Sequence, residues 1–348
     1  MATFYKVNIQ EVKQETANAV SVVFNIPENL KTDFNFTAGQ YITLQKEINN
    51  EEIRRAYSIC STPKSGEIRV AIKAVENGTF STFATSQLKT GDEIEISEPE
   101  GRFLLNPVAN KNYIAFAAGS GITPILSMLK TVLETAPTAN FTLVYGNKTV
   151  ADTIFYDDLN SLKETYSNRF KLHYIFSREE VKNQLRGRID ESVTNYFVKN
   201  MYKETSFDAA FLCGPEEMIN EVSKTLEKNK IAKDNIHFEL FTVSVDEDAV
   251  AEVKEGITEI TVLLDDEETS FTMQQTDDIL AASLRNNLDA PYSCQGGVCS
   301  SCLCKVTEGK AVMVKNSILT DDEIEEGLIL ACQAHPITAV IKIDFDDV

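Results

Sequence analysis

Between residues 5 and about 105, apolar and polar positions alternate over short runs: YKVNIQEVKQET, AVSVVFNIP, QYITLQKEI, AYSICST, IRVAIKAV and DEIEISEPEG. A period of two puts successive side chains on opposite faces of a strand, and the intervening PENLKTD, PKSGE and KTGD carry the Pro, Gly and Asp that turns require. The pattern predicts an antiparallel barrel or sandwich with one short helix near FSTFATSQL. From about residue 110 to 237 the rhythm changes. NYIAFAAG leads into TPILSMLKTVLE, NFTLVYGN into IFYDDLNSLKETY, and RFKLHYIFS and DAAFLCG into PEEMINEVSKTLEKN. Strand and helix in alternation predict a doubly wound parallel α/β sheet, a fold that binds ligands beyond the carboxyl ends of its strands.

Residues 241–256, FTVSVDEDAVAEVKEG, are acidic and weakly patterned and read as a linker. Beyond it, ITEITVLLDDEETSFTM predicts a hairpin, TDDILAASLRNN a helix with Asp at its start, and ITAVIKIDF a last strand. The expected organisation is a barrel over 1–108, an α/β domain over 109–240, the linker, and a mixed α+β domain over 257–348. Two or three domains suit a chain of 348 residues.

Charge sharpens this division. The net charge is −20, and residues 245–348 hold 22 acidic against 6 basic residues, whereas the rest holds 31 against 27. Such a segment repels nucleic acid and anionic membrane; a protein surface bearing Lys and Arg suits it, unless the acidity only confers solubility. Apolar runs such as YIAFAAG fall far short of the ~20 residues that span a bilayer. The first residues show no basic stretch followed by an apolar one, so no signal peptide and a cytoplasmic location are expected.

Seven cysteines, an odd number, fit reduced thiols and metal ligation better than a disulfide framework. Four of them crowd into CQGGVCSSCLC, residues 294–304. A redox dithiol needs one C-x-x-C, and tetrahedral zinc usually takes a second nearby pair, whereas Cys332 is single. The spacing C-x4-C-x2-C with one distant cysteine is that of a plant-type [2Fe-2S] site, which makes Cys294, Cys299, Cys302 and Cys332 the expected ligands. Gly296 and Gly297 allow the loop to turn tightly and to bring N–H groups to the sulfurs. Cys304, where a strand resumes, reads as a small buried hydrophobe. His173, His237 and His335 share no close spacing and are not read as ligands.

PYSCQGGVCSSCLCKVTEGK with LILACQAHP resembles plant-type ferredoxin domains, which implies a β-grasp fold over about 257–346. Gln295 and Gly296 replace the Arg and Ala of the common chloroplast pattern and point to ferredoxin domains fused to reductases.

A cluster that takes one electron at a time calls for a two-electron donor. In RRAYSICS, Arg55 can meet phosphate, Tyr57 can stack on a flat heterocycle and Ser58 can hydrogen-bond a ring nitrogen, although the triplet alone equally suits ordinary sheet residues. Gly78, Ser81 and Thr82 in VENGTFSTF precede a short helix and suit a phosphate. RAYS, GTFST and GDEIEISEPEGRF together resemble the ferredoxin-NADP reductase family across residues 5–240. The resemblance implies FAD on the barrel, with FMN the lesser alternative: Arg55 at the pyrophosphate, Tyr57 on the isoalloxazine, Ser58 facing N5, and Val70 and Ile72 beside the ring through their backbone.

In AAGSGITP, Gly119 and Gly121 let a pyrophosphate approach the backbone and Thr123 begins the helix. Ser177 and Arg178 in FSRE fall where the nucleotide ribose is expected. A donor and a cation suit a 2′-phosphate, so NADPH is favoured over NADH, unless Arg178 is only a solvated surface residue. By the same resemblance Cys213, Gly214 and Pro215 face the nicotinamide, and Glu239 and Phe241 lie beside the flavin; taken alone, Cys213 is a packing residue.

The order flavin barrel, nucleotide domain, ferredoxin domain is similar to that of the electron-transfer components of multicomponent oxygenases. This implies electrons passing from NADPH to FAD to [2Fe-2S] and on to an oxygenase component docked near the acidic ferredoxin domain, with Ser58, Cys213 and Glu239 at the site of hydride transfer. The alternatives are service to another hydroxylase or desaturase, and a non-catalytic iron-sulfur or zinc protein.

Overall fold

In the computed structural model, which describes residues 3–348, the early strands are β1 (Phe4–Thr16), β2 (Ala19–Asn25), β3 (Tyr41–Ile48), β4 (Glu51–Ser58), β5 (Ile68–Lys73) and, after helix α1 (Thr79–Ser86), β6 (Glu93–Ser97). They form one antiparallel sheet in the order β4-β3-β6-β1-β2-β5, and an Ile59–Val70 bridge joins its two edges into a barrel. Alternate residues such as Val7, Val22, Ile42, Leu44 and Ile96 fill the interior. β4 begins five residues earlier than the apolar pattern suggested, because the charged segment Glu51–Arg55 pairs residue by residue with Leu44–Ile48. Asn49 and Asn50, at φ 56° and 64°, make the tight turn between them, a conformation Asn tolerates well.

The next sheet is parallel throughout, with strands β7 (Asn112–Ala118), β8 (Asn140–Asn147), β9 (Phe170–Phe176), β10 (Leu185–Arg186), β11 (Ala209–Cys213) and β12 (Ile236–Glu239) in the order β10-β9-β8-β7-β11-β12. Its helices are α2 (Ile122–Thr135), α3 (Tyr156–Thr165), α4 (Glu191–Asn195) and α5 (Glu216–Lys228). α4, which continues as a wider turn over Tyr196–Met201, was not expected from the sequence, since only Thr194 and Phe197 of the whole stretch are buried and the apolar period is faint. The Asp190 carboxylate starts it by accepting the Val193 N–H at 2.8 Å.

Residues 4–241 form one compact unit. A single apolar core takes Ala38, Cys60, Phe103 and Leu105 from the barrel side and Ile122, Ile125, Leu126 and Met128 from α2. Inside this seam the buried Ser127 hydroxyl donates to the Ser61 carbonyl at 2.6 Å. Gly39, at φ 105°, allows the Phe103 carbonyl to lie 1.9 Å from the place a Cβ would take.

Residues 242–348 belong to the other unit. The segment read as a linker, residues 241–256, is not without structure. It contains a short helix, α6 (Glu247–Glu252), and the Asp246 N–H donates to the Val314 carbonyl at 2.8 Å. Strands β13 (Ile257–Leu264), β14 (Glu267–Gln274), β15 (Leu303–Glu308), β17 (Leu328–Leu330) and β19 (Val340–Asp344) build a mixed sheet in the order β14-β13-β19-β15-β17; β16 (Ala311–Met313) and β18 (Ala334–Pro336) pair separately. Helix α7 (Ile279–Arg285), capped by Asp278, contributes Ile279, Leu280 and Ala282 to its core, and α8 (Asp321–Glu325) follows β16 in the chain. The parallel β13–β19 pair flanked by antiparallel strands gives the expected β-grasp arrangement. Among the described residues no helix is long and apolar enough to cross a membrane.

Candidate functional site

Consecutive residues of β4 serve different ends. Arg54 is held by the barrel: its Nε donates to Gln45 at 2.7 Å, it pairs with Glu52 at 2.9 Å, and its guanidinium lies 4.8 Å from the Phe4 ring centre. Arg55 points its charge elsewhere. Its guanidinium donates to the Arg54 carbonyl at 2.6 Å, and its charge pulls the Tyr57 phenol down while the larger effect of burial pushes that phenol up. Tyr57 packs its ring 5.7 Å from Phe80 of α1. This brings Arg55 and Tyr57, two residues apart on the strand, toward the helix whose first turn is the candidate phosphate cradle.

At that cradle Gly78 starts α1 with no side-chain cap, and a Cβ there would lie 2.4 Å from Val75. Thr82 lines a cavity of about 510 Å³ with Asn49, Asn77, Gly78 and Gln87. Ser81 is buried and its Oγ accepts the Val75 N–H at 3.2 Å, a bond that shapes the loop. Val70 and Ile72 are fully buried in the barrel core, which leaves only their backbone for a flavin.

The nucleotide side is built on close backbone approach. Gly119–Gly121 forms a tight turn after β7, and a Cβ on Gly121 would stand 2.1 Å from the Cys213 carbonyl. Only glycine lets this turn rest against the end of β11. Gly214 is equally constrained, with Met218 at 2.7 Å and Ala118 at 3.1 Å from its absent Cβ, and Pro215 then opens α5. Thr123 is buried and its hydroxyl donates to the Ser120 carbonyl at 3.1 Å; it fastens the turn from inside and does not face outward. Helix α2 starts one residue before it, at Ile122.

Ser177 donates its N–H to the Asn147 carbonyl at 2.9 Å, and the Arg178 N–H donates to the Lys148 carbonyl at 2.9 Å. The Arg178 side chain is exposed, and the neighbouring acid, Glu179, is turned away to accept the Val150 N–H at 2.7 Å. Lys73, at the end of β5, was not anticipated from the sequence. Its Nζ lies 3.7 Å from the Cβ position of Gly119, and burial, then the charge of Lys148, lowers its pKa. The only signal for it was a charged residue closing an apolar strand.

A hydrogen bond joins the two halves of this unit at the end of the parallel sheet. The buried Ser58 hydroxyl donates to the Glu239 carboxylate at 3.0 Å, although the residues are 181 positions apart. Cys213 sits in register with Glu239 on the adjacent parallel strand and is fully buried. Burial pushes the Glu239 carboxyl up to about 8, with Ser58 pulling it down. Burial, then the charge of Glu239, raises the Cys213 thiol well above its ordinary value, which favours its neutral form. Phe241, just past β12, is 38% exposed.

In the other unit the cysteine run wraps the expected centre. Cys299, Cys302 and Cys332 are buried and Cys294 is half-buried. The Cys299 and Cys294 sulfurs are 3.0 Å apart, and Cys332 interacts with both Cys294 and Cys302. Backbone donors face the sulfurs: Gly296 N–H at 3.3 Å from Cys294, with Ser301 and Gly297 acting on Cys299 and Cys332. Gly297, at φ 73°, is required because the Lys315 carbonyl lies 2.7 Å from its Cβ position. Its neighbour Cys294, then burial, drives the Cys299 thiol well above its ordinary pKa. Thiolates gathered this closely call for a cation among them, and iron of a [2Fe-2S] cluster supplies one, so the residues fit that group. Cys304 is fully buried on β15 and stands outside the set.

Comparison with known proteins agrees with this geometry. Residues 6–104 match the oxidoreductase FAD-binding domain, 116–224 the oxidoreductase NAD-binding domain, and 262–336 the 2Fe-2S iron-sulfur cluster binding domain. A 1,2-phenylacetyl-CoA epoxidase component from Escherichia coli is 38% identical over 99% of both chains. The ferredoxin reductase component of 3-ketosteroid-9-alpha-monooxygenase from Rhodococcus rhodochrous is 31% identical over 97% of this chain and 95% of its own. The chain belongs to this family of oxygenase reductases. Phthalate dioxygenase reductase, at 23% identity, shares the fold over 98% of both chains with a TM-score of 0.64. The reductase is therefore an oxidoreductase with FAD-, NAD- and 2Fe-2S-binding domains.

Because Ser58 lowers the Glu239 pKa, removing its hydroxyl raises it. The carboxyl is protonated below its pKa and ionised above, so in Ser58→Ala the Glu239 carboxyl band in a pH-difference infrared spectrum is lost at higher pH than in the parent chain. A transition that stays put or moves down contradicts the coupling.

Proposed function

We propose that the chain is the NADPH-oxidising reductase component of an oxygenase system of the phenylacetyl-CoA epoxidase kind. The observation that carries this reading is the similarity to a component of that enzyme along the whole chain, 38% identical over 99%. A second reading, service to a different oxygenase, is supported by the 31% identity to the 3-ketosteroid monooxygenase component.

A bound flavin takes the electron pair of a hydride and gives up electrons singly, which suits a [2Fe-2S] cluster as acceptor. The chain supplies binding, orientation and electrostatics. In this reading Arg55 meets the flavin phosphate, Tyr57 and the backbone of Val70 and Ile72 hold the ring, and Gly78 and Thr82 with the first turn of α1 accept the remaining phosphate. Gly119, Gly121 and Gly214 let the dinucleotide approach the backbone, with Lys73 adding positive charge.

Ser177 and the exposed Arg178 take the 2′-phosphate of NADPH. Ser58 and Glu239 form the polar floor at the reacting ring, where the Ser58 hydroxyl can hold a proton near the flavin nitrogen, and Cys213 excludes water beside them. Pro215 sets the entry of α5, and Phe241 closes the flavin edge. Cys294, Cys299, Cys302 and Cys332 hold the cluster.

The oxygenase component docks by a basic surface on the acidic C-terminal domain, whose residues 245–348 carry 22 acids against 6 bases. The protein works in the cytoplasm.

Two measurements test the reading. Cys299→Ser is expected to abolish NADPH-driven cytochrome c reduction while ferricyanide reduction survives; a variant that keeps both activities overturns the electron order. In steady state, kcat/KM for NADPH exceeds that for NADH, and the reverse order removes the role given to Arg178.

A further inference from the structure

Gln333 follows Cys332, the distant member of the cysteine set, and is only 9% exposed. Its backbone is tied on both sides: the N–H donates to the Leu330 carbonyl at 2.9 Å, and the carbonyl accepts the Val314 N–H at 3.0 Å. From this fixed base the side-chain amide reaches the cysteine loop. Its Nε2 donates to the Gln295 carbonyl at 3.0 Å and to the Cys332 carbonyl at 2.7 Å. Both partners are carbonyl oxygens, which only accept, so the nitrogen end of the amide must face them. One side chain thus joins the segment of Cys332 to the loop that carries Cys294, Cys299 and Cys302.

The carbonyl that Gln333 holds belongs to a residue of unusual conformation. Gln295 has φ 51°, in the left-handed region that a residue with a Cβ enters only at a cost, and its own side chain is exposed. The C=O of Gln295 and the N–H of Gly296 belong to one trans peptide and point to opposite sides of it. While Gln333 holds the oxygen, the Gly296 N–H donates to the Cys294 sulfur at 3.3 Å. Packing does not fix this peptide, since a Cβ at Gly296 would meet only the Cys294 carbonyl, at 3.7 Å. The Ser317 hydroxyl and N–H both donate to the Gly297 carbonyl at 3.1 Å, two peptides further on, and leave the Gln295–Gly296 peptide to Gln333.

A hydrogen bond to a cysteine sulfur draws off negative charge, which stabilises a reduced iron–sulfur cluster over the oxidised one and raises its potential. We propose that Gln333 is a positioning residue for the cluster: its amide holds the Gln295–Gly296 peptide so that the Gly296 N–H stays on the Cys294 sulfur, and the cluster potential is higher for it. The inference rests on the [2Fe-2S] reading of the four cysteines and adds to it a residue that touches neither iron nor sulfur.

The test uses the full chain loaded with flavin and cluster. Gln333→Met keeps the length and bulk of the side chain and removes the donor; Gln333→Asn keeps the amide on a side chain one carbon shorter, which does not span to Gln295. In both variants a redox titration, read from the electron paramagnetic resonance of the reduced cluster, is expected to give a midpoint potential below that of the parent chain, with the flavin couple unmoved. In deuterated buffer the coupling of the reduced cluster to the exchangeable deuteron on the Gly296 nitrogen weakens.

A cluster potential that stays or rises, a flavin couple that falls equally, or an unchanged deuteron coupling overturns the proposal. A cluster that neither variant retains overturns it as well, because Gln333 is then needed to build the site and not to tune it. A parent chain without [2Fe-2S] absorption contradicts the cluster site itself and is read separately from these outcomes.

Discussion

The close approach of the Gly119–Gly121 turn to the end of β11 is the constraint on which the functional unit depends. Any side chain at Gly121 would occupy the Cys213 carbonyl, 2.1 Å from its Cβ position. With glycine there, the turn, the Cys213–Gly214 peptide and Glu239 on the next strand share one end of the parallel sheet. The seam between α2 and the barrel then fixes this end against β4, because Met128, Leu126 and Ser127 are packed with Phe103, Cys60 and Ser61. Ser58 meets Glu239 as a consequence of that packing, and preorganised polar groups of this kind are what a flavin site needs from its protein.

Electrostatics follows the same logic in both units. Glu239 is held near neutrality by burial, with one hydroxyl as its partner, so a small change in its surroundings decides its charge. Around the cysteine loop the protein crowds thiols and aims backbone N–H groups at them, an arrangement that favours thiolates on a metal and disfavours them without one. The acidity of residues 245–348 belongs to this second unit and leaves the first nearly balanced.

Much of this was readable along the chain, for identifiable reasons. The barrel strands and the β–α alternation show in hydrophobic periods, and the cysteine spacing reports a loop that wraps a cluster. The glycine turn was legible because only glycine permits it. What escaped had no periodic signature: the charged start of β4, which is strand only through its pairing with β3, and α4, which with its continuation buries two residues. The hydroxyls of Ser81 and Thr123 also make hydrogen bonds within the local loop and turn, which the residue types alone do not tell. Lys73 went unseen because its place beside the glycine turn comes from Gly119, distant in sequence, which only the fold brings close.

The proposed electron path runs from a nicotinamide nucleotide to a flavin on the first unit and then to a cluster on the second, with NADPH as the proposed donor. Anaerobic addition of NADPH to the purified protein, followed in the visible spectrum, tests this most directly. Loss of the flavin absorption followed by loss of the iron–sulfur absorption is the expected result. An iron–sulfur absorption that fades just as readily after the flavin has been removed contradicts the account.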